Sequence, residues 1–232
     1  MTTAVILSDI HGNLPALRAV AEAIPQADRV IVAGDLCEEG PTPAQVLDML
    51  RELGWTLIAG NTDQDLVSVP AGMKDRKARL ITWARGQLGA ERLRFLESLP
   101  FSTTIEADGH EVALVVHANP LNMEDQLYPT MTEEELKPYL KKVRPNLLAF
   151  GHLHIPYVRP VAGKVLVDVS SVGHPKDKDR RAAHTVITWE GERRSIEQVR
   201  IPYDVEETVH MMRSSGMPAP EKGVAALLKA SY

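Results

Sequence analysis

The chain has 232 residues, 44% hydrophobic and 25% charged, which suits one soluble globular domain with a sizeable core. Its net charge of -5 argues against a nucleic-acid-binding surface, so no stable nucleic-acid binding is expected; a small anionic substrate stays open because bound metals can reverse the local field. No apolar run approaches the ~18 residues of a membrane span, Met1 leads straight into a strand-like run without a signal-peptide pattern, and a lone Cys37 excludes an internal disulfide, so a cytoplasmic address with no membrane contact is expected.

The first 60 residues alternate strand and helix. Ala4 to Leu7 reads as a buried strand. Asn13 is placed to cap a helix with Pro15 in its first turn and Ala16, Leu17, Ala19 and Val20 along it. Val30 to Ala33 is a second strand, Pro43 to Leu53 a helix closed by Gly54, and Thr56 to Ala59 a third strand. This βαβαβ order predicts a parallel sheet with helices on its faces.

The apolar spacing of Leu80, Ile81, Trp83, Ala84, Leu88, Leu93 and Leu96 predicts two helices between Asp75 and Leu99, broken near Gly89. Ser102 to Ala107 and Glu111 to Val116 read as strands joined by a hairpin turn at Asp108-Gly109. A helix is predicted from Glu133 to Lys142, with Pro138 as a break or kink. Further strands are expected at 147–150, 164–169, 183–189 and 194–200, the last three as an antiparallel second sheet; 206–213 and 224–229 look like terminal helices. A single domain is expected, with residues 1–203 as catalytic core and 204–232 as a C-terminal helical extension.

Polar residues gather where strands end. The first strand runs into Asp9 and His11, the second into Asp35, the third into Asn61 and Asp63, Glu111–Val116 into His117, and Leu147–Phe150 into His152 and His154. Ligands of open α/β sheets sit at the carboxyl ends of strands. Imidazole and carboxylate together favour Zn, Mn, Fe or Ni over Ca or Mg alone. Asp9-x-His11 and His152-x-His154 are i, i+2 pairs, and glycines before Asp35, Asn61 and His152 allow tight turns close to an ion. Each piece alone is a common surface feature; five strand ends in order are not.

The order Asp-x-His, Gly-Asp, Gly-Asn-x-Asp, His, Gly-His-x-His resembles the calcineurin-like metallophosphoesterases, and the stretch 83–100 and the loop Ser171 to Pro175 are similar to their small prokaryotic phosphodiesterase branch. The resemblance implies a four-layer α/β/β/α sandwich of two mixed sheets. It implies that Asp9, His11, Asp35 and His154 bind one divalent ion, and Asp35, Asn61, His117 and His152 the other, with Asp35 bridging. A hydroxide shared by the two ions would then hydrolyse a phosphodiester bond. Asp63 and Asn13 are expected to orient ligands. Asp63 and His174 are the candidates for catalysis, and Asn13, Asn61, Lys176 and Arg180 those for substrate binding.

Thr62 stands where many family members carry a His that serves leaving-group chemistry, and Thr is a poor proton donor. The loop from His174 to Arg181 is either a solvated charged turn or a basic rim for phosphate, with His174 as a substitute donor. Cys37 either lines the site or is a buried neutral thiol. Three readings stay open: a phosphodiesterase; a phosphomonoesterase or dinucleoside polyphosphate hydrolase, the latter making the small phosphoester substrate a nucleotide; and a catalytically silent metal-binding scaffold. Family members are often dimers or larger, so a homo-oligomer is an option.

Overall fold

The computed structural model describes the chain except Ala71, Met73, Lys74, Glu192, Tyr232 and the side chain of Asp75. Strands β1 (Thr2–Leu7), β2 (Arg29–Val32) and β3 (Thr56–Leu57) run parallel, linked by α1 (Leu14–Ala23) and α2 (Pro43–Leu53). After α3 (Asn61–Val67) and α4 (Asp75–Glu97) the chain enters a second sheet. There β4 (Ser102–Ala107) and β5 (His110–Val116) form a hairpin. Asp108 and Gly109 both have positive φ, 51° and 79°, as a tight two-residue turn requires. Next come α5 (Glu133–Leu140), β6 (Leu147–Phe150), β7 (Tyr157–Val161) and β8 (Lys164–Asp168). The chain closes with β9 (Ala182–Glu190), β10 (Arg193–Ile201), α6 (Val205–Ser214) and α7 (Pro220–Lys229).

The sheet orders are β10-β9-β1-β2-β3 and β4-β5-β6-β8-β7. Both are mixed, and the layering follows from the strand period of two. On β1, Ala4 and Ile6 face Ile31, Val115, Leu147, Ala149 and Val167 in the core between the sheets. Val5 and Leu7 point the other way, to Leu17, Val46, Leu47, Ile81 and Leu88 under the helices. On β6, Leu147 and Ala149 face the first sheet while Leu148 and Phe150 pack on Leu136 and Leu140 of α5. The result is the expected α/β/β/α sandwich.

One strand assignment is corrected. Of the three late strands expected to form an antiparallel second sheet, β8 lies in that sheet but pairs parallel to β6, and β9 and β10 return to the first sheet. β9 runs antiparallel to β1, with Val5 opposite Val186. Ile187 and Trp189 thereby join the core between the sheets, and β9 covers the edge of β1 that β2 leaves open. The alternation of a late strand shows which residues share a face, not which edge they will cover. β7 and α3 were not anticipated.

Gly89 (φ 68°) breaks α4 where a break was expected, and α5 runs through Pro138. Met212, Val224 and Leu227 of the last two helices pack with Leu80 of α4 in a small core of their own. Among the described residues no helix is long and apolar enough to cross a membrane.

Candidate metal centre

The loops after β1, β2, β5 and β6 and the first turn of α3 meet at one edge of the sandwich. Their register comes from bonds between loops. The His152 N–H donates to Asp9 Oδ2 at 2.8 Å, the Thr62 N–H to Asp35 Oδ1 at 3.0 Å, and the His11 N–H to the Asp35 carbonyl at 3.0 Å. Gly60 and Gly151 are required by this closeness. A Cβ on Gly60 would strike the Asp35 carboxylate, and one on Gly151 would strike Ser8 and Asp9.

Five of the seven expected ligands sit in left-handed backbone: Asp9 (φ 56°), His11 (48°), Asp35 (55°), His152 (65°) and His154 (62°). That region costs an L-residue roughly 1–2 kcal/mol, and such strain gathers where a site is over-determined by its surroundings. Side-chain periodicity carries no sign of it.

Each of the four histidines has one ring nitrogen tied to a backbone carbonyl. His11 Nδ1 meets Glu38 O at 3.2 Å, His117 Nδ1 meets Ala33 O at 2.8 Å, His154 Nδ1 meets His174 O at 2.5 Å, and His152 Nε2 meets Glu124 O at 2.9 Å. A carbonyl only accepts, so these nitrogens carry hydrogen and the opposite nitrogen of each neutral ring bears a lone pair. Those lone pairs converge. His117 Nε2 lies 2.9 Å from Asn61 Oδ1, 3.2 Å from His152 Nδ1 and 3.4 Å from Asp35 Oδ1. His154 Nε2 lies 2.9 Å from Asp9 Oδ1 and 3.3 Å from His11 Nε2, which is 3.7 Å from Asp35 Oδ2. Acceptors facing one another at these distances demand a cation or a proton between them.

The residues therefore fall into two groups, Asp9, His11 and His154, and Asp35, His117 and His152, each with ligand atoms within 4.8 Å of one another. Asp35 turns one oxygen to each. The set fits two divalent ions: nitrogen and oxygen donors, buried, with carbonyl bonds that fix every imidazole tautomer. Without metal, protons take the cations' part. Burial opposes the imidazolium of His11, yet the Asp9 hydrogen bond and the charges of Asp35 and Glu39 raise it to about 10. Burial wins at His154, which falls to about 4 despite Asp9. Burial also resists ionisation of Asp9, but His154 and His11 hold its carboxyl well below the usual range.

Other expected residues take different places. Asp63 is buried, and its carboxylate accepts from the N–H groups of Leu36 and Gly60, both at 3.0 Å. Burial and the Asp35 charge push it up to about 7 against those bonds. Asn13 caps α1 through Ala16 N, accepts from Thr208, and donates to Gly173 O and Tyr203 Oη. Its amide is spent on holding the loop after β1 to α6 and to the loop at Gly173, so the substrate contact expected of it has no free group. The Lys176 N–H donates to His154 O, which keeps Lys176 beside the centre. Arg180 does not reach it: with Lys178, Arg181 and Tyr203 it lines a separate depression. Cys37 is buried in the core under the helices, where burial raises its thiol well above the usual range.

Two residues at the centre were missed as participants. Glu39 Oε2 lies 3.4 Å from His174 Nδ1 and 4.0 Å from His11 Nδ1. Burial opposes its charge, but the His174 contact and the His11 charge hold it well below the ordinary carboxylate range. Glu38 is 1% exposed with neither carboxylate oxygen hydrogen-bonded, and burial and Glu39 push it up to about 8. Consecutive acids after Gly-Asp were the available signal.

The model of the calcineurin-like phosphoesterase superfamily domain matches residues 1–191. The chain belongs to that superfamily. This phosphoesterase is similar to a crystallised metallophosphoesterase from Sphaerobacter thermophilus, at 25% identity and TM-score 0.81 over 99% of each chain. It is 27% identical to an uncharacterized protein of Methanocaldococcus jannaschii over 92% of this chain and 93% of the relative. It is also 36% identical to a symmetrical bis(5'-nucleosyl)-tetraphosphatase of Pectobacterium carotovorum, over 33% of this phosphoesterase and only 31% of that relative.

Proposed function

We propose that this phosphoesterase is a dinuclear-metal phosphodiesterase. Asp9, His11, Asp35 and His154 hold one divalent ion, and Asp35, Asn61, His117 and His152 hold the other. The carrying observation is the set of converging lone pairs on four histidines whose far nitrogens are tied to carbonyls. Manganese, iron, zinc and nickel all suit these donors. Bound ions of this kind activate an attacking water and neutralise charge on the phosphoryl oxygens.

The chain's own groups do the rest. Asp63 positions Asp35 and Asn61 by clamping the backbone at Leu36 and Gly60. The Asn61 amide, its oxygen turned to His117, keeps its nitrogen for a phosphoryl oxygen. Asn13 positions the first loop. His174, paired with Glu39, protonates the leaving oxygen in place of Thr62, whose hydroxyl is buried without a partner. Lys176 is the basic group of the rim, and we assign Arg180 no part in the site. The enzyme is placed in the cytoplasm, where Cys37 stays reduced.

Hydrolysis of bis(4-nitrophenyl) phosphate with added manganese tests the reading, with 4-nitrophenyl phosphate as the monoester control. The diester is expected to be the better substrate, and activity unaltered in both Asp35→Ala and His117→Ala would overturn the proposal. A dinucleoside polyphosphate is the second candidate, supported by the similarity to a bis(5'-nucleosyl)-tetraphosphatase; a nucleotide panel decides between them.

A further inference from the structure

A cavity opens beside His11 and extends under the C-terminal helices. Glu39 and His174 line it next to the metal centre, and Met212, Ala226 and Leu227 supply apolar wall. Two cations, Arg76 of α4 and Lys222 of α7, complete it. The superfamily match ends at residue 191, so the wall from α6 and α7 lies outside the part of the chain that the family model describes.

Arg76 and Lys222 stand outside the ion pairs of the described residues, and the one carboxylate in the lining, Glu39, is engaged with His174 and His11. Arg76 Nε is buried without a hydrogen-bond partner. A guanidinium left with such an unsatisfied donor is favoured by an anionic partner. The Arg76 guanidinium lies against α7 near Gly223 and Met212.

An apolar wall, two cations outside any ion pair of the described residues and a boundary shared with a metal ligand define one kind of occupant: an organic group with an apolar face that carries its own anionic charge. We propose that this cavity is a specificity subsite, resting on the phosphoesterase reading, and that it holds a nucleoside phosphate portion of the substrate. The base lies against Met212, Ala226 and Leu227, and the phosphate meets Arg76 and Lys222. The C-terminal helices thereby become a selector for nucleotide-bearing esters over simple ones.

The experiment measures binding of AMP, adenosine and inorganic phosphate to manganese-loaded protein by calorimetry. Three proteins are compared: wild type, the double variant Arg76→Ala/Lys222→Ala, and Ala226→Trp, which fills the cavity. AMP is expected to bind wild type at least tenfold more tightly than either adenosine or phosphate. That margin should collapse in both variants, with retained melting temperatures confirming their fold. In parallel, the ratio of kcat/KM for a nucleoside-bearing diester to that for bis(4-nitrophenyl) phosphate should fall about tenfold. A wild type without the margin, or variants that keep it, would overturn the subsite. Failure of wild type to hydrolyse either ester would instead overturn the phosphoesterase reading, and the binding comparison would still judge the cavity.

Discussion

Asp35 turns its two oxygens in different directions, Oδ2 toward His11 Nε2 at 3.7 Å and Oδ1 toward His117 Nε2 at 3.4 Å. One carboxylate thus joins a loop of the first sheet's β1 to the strand end of the second sheet's β5. A residue so placed has a different effect on metal content from a residue that faces one group only.

Asp35→Ala is expected to lose both ions, because each group is left with one carboxylate fewer or none. His117→Ala removes a ligand from the second group alone and is expected to retain about one ion per chain. Activity should fall at least 100-fold in both. Elemental analysis of dialysed protein gives the stoichiometry. Equal metal content in the two variants would contradict the bridging role.

The metal-free centre stores protons where the ions belong. His11, raised to about 10 by the Asp9 hydrogen bond and the Asp35 and Glu39 charges against the effect of burial, is protonated at pH 7. Burial leaves His154 neutral, near 4. A histidine must be neutral to bind metal, so loading the first group should release about one proton, from His11. The sign follows: affinity rises with pH, about tenfold per unit, until pH approaches 10. Calorimetry in buffers of different ionisation enthalpy counts the proton. The same binding enthalpy in every buffer would show that none is released.

How much of this was legible beforehand depended on what each feature is made of. The two candidate metal groups were readable because Asp9, His11, Asp35, His117, His152 and His154 are chemically distinctive residues at the ends of apolar runs. The layering was readable from alternation on β1 and β6. The return of β9 to β1 was not, because pairing partners depend on which edge is free in three dimensions. Nor was the Asn13 network, which needs Thr208 and Tyr203 brought from nearly 200 residues away in the chain. The cavity under α7 was hidden for the same reason: Arg76, His11 and Leu227 share it across three distant segments.

Backbone strain at the ligands gives a test free of catalysis. His154 holds φ 62°, where a Cβ is costly and glycine is not. His154→Gly and His154→Ala both delete the imidazole, so their difference isolates the backbone. In the presence of a chelator the glycine variant is expected to be the more stable by about 1 kcal/mol. Urea unfolding midpoints measure the gap. An alanine variant as stable as the glycine one would mean that the left-handed conformation is not imposed by the surrounding bonds.

His174 supplies the final test, because its role depends on what leaves. Its ring lies 5.9 Å from that of His11, its Nδ1 faces Glu39, and it lines the cavity beside the metal centre. Thr62 donates its N–H to Asp35 and buries its hydroxyl, so it offers no proton to a departing oxygen. A 4-nitrophenolate leaves readily without protonation, whereas an alkoxide does not. General acid catalysis contributes about 100-fold or more where the leaving group needs it. His174→Ala is therefore expected to slow hydrolysis of an alkyl phosphodiester by about 100-fold and of bis(4-nitrophenyl) phosphate by less than about tenfold. Glu39→Gln should show the same selectivity more weakly, since it removes the charge that faces the imidazole. Equal losses on the two esters would reduce His174 to a structural part, its carbonyl holding His154 and its ring contributing nothing to the chemistry.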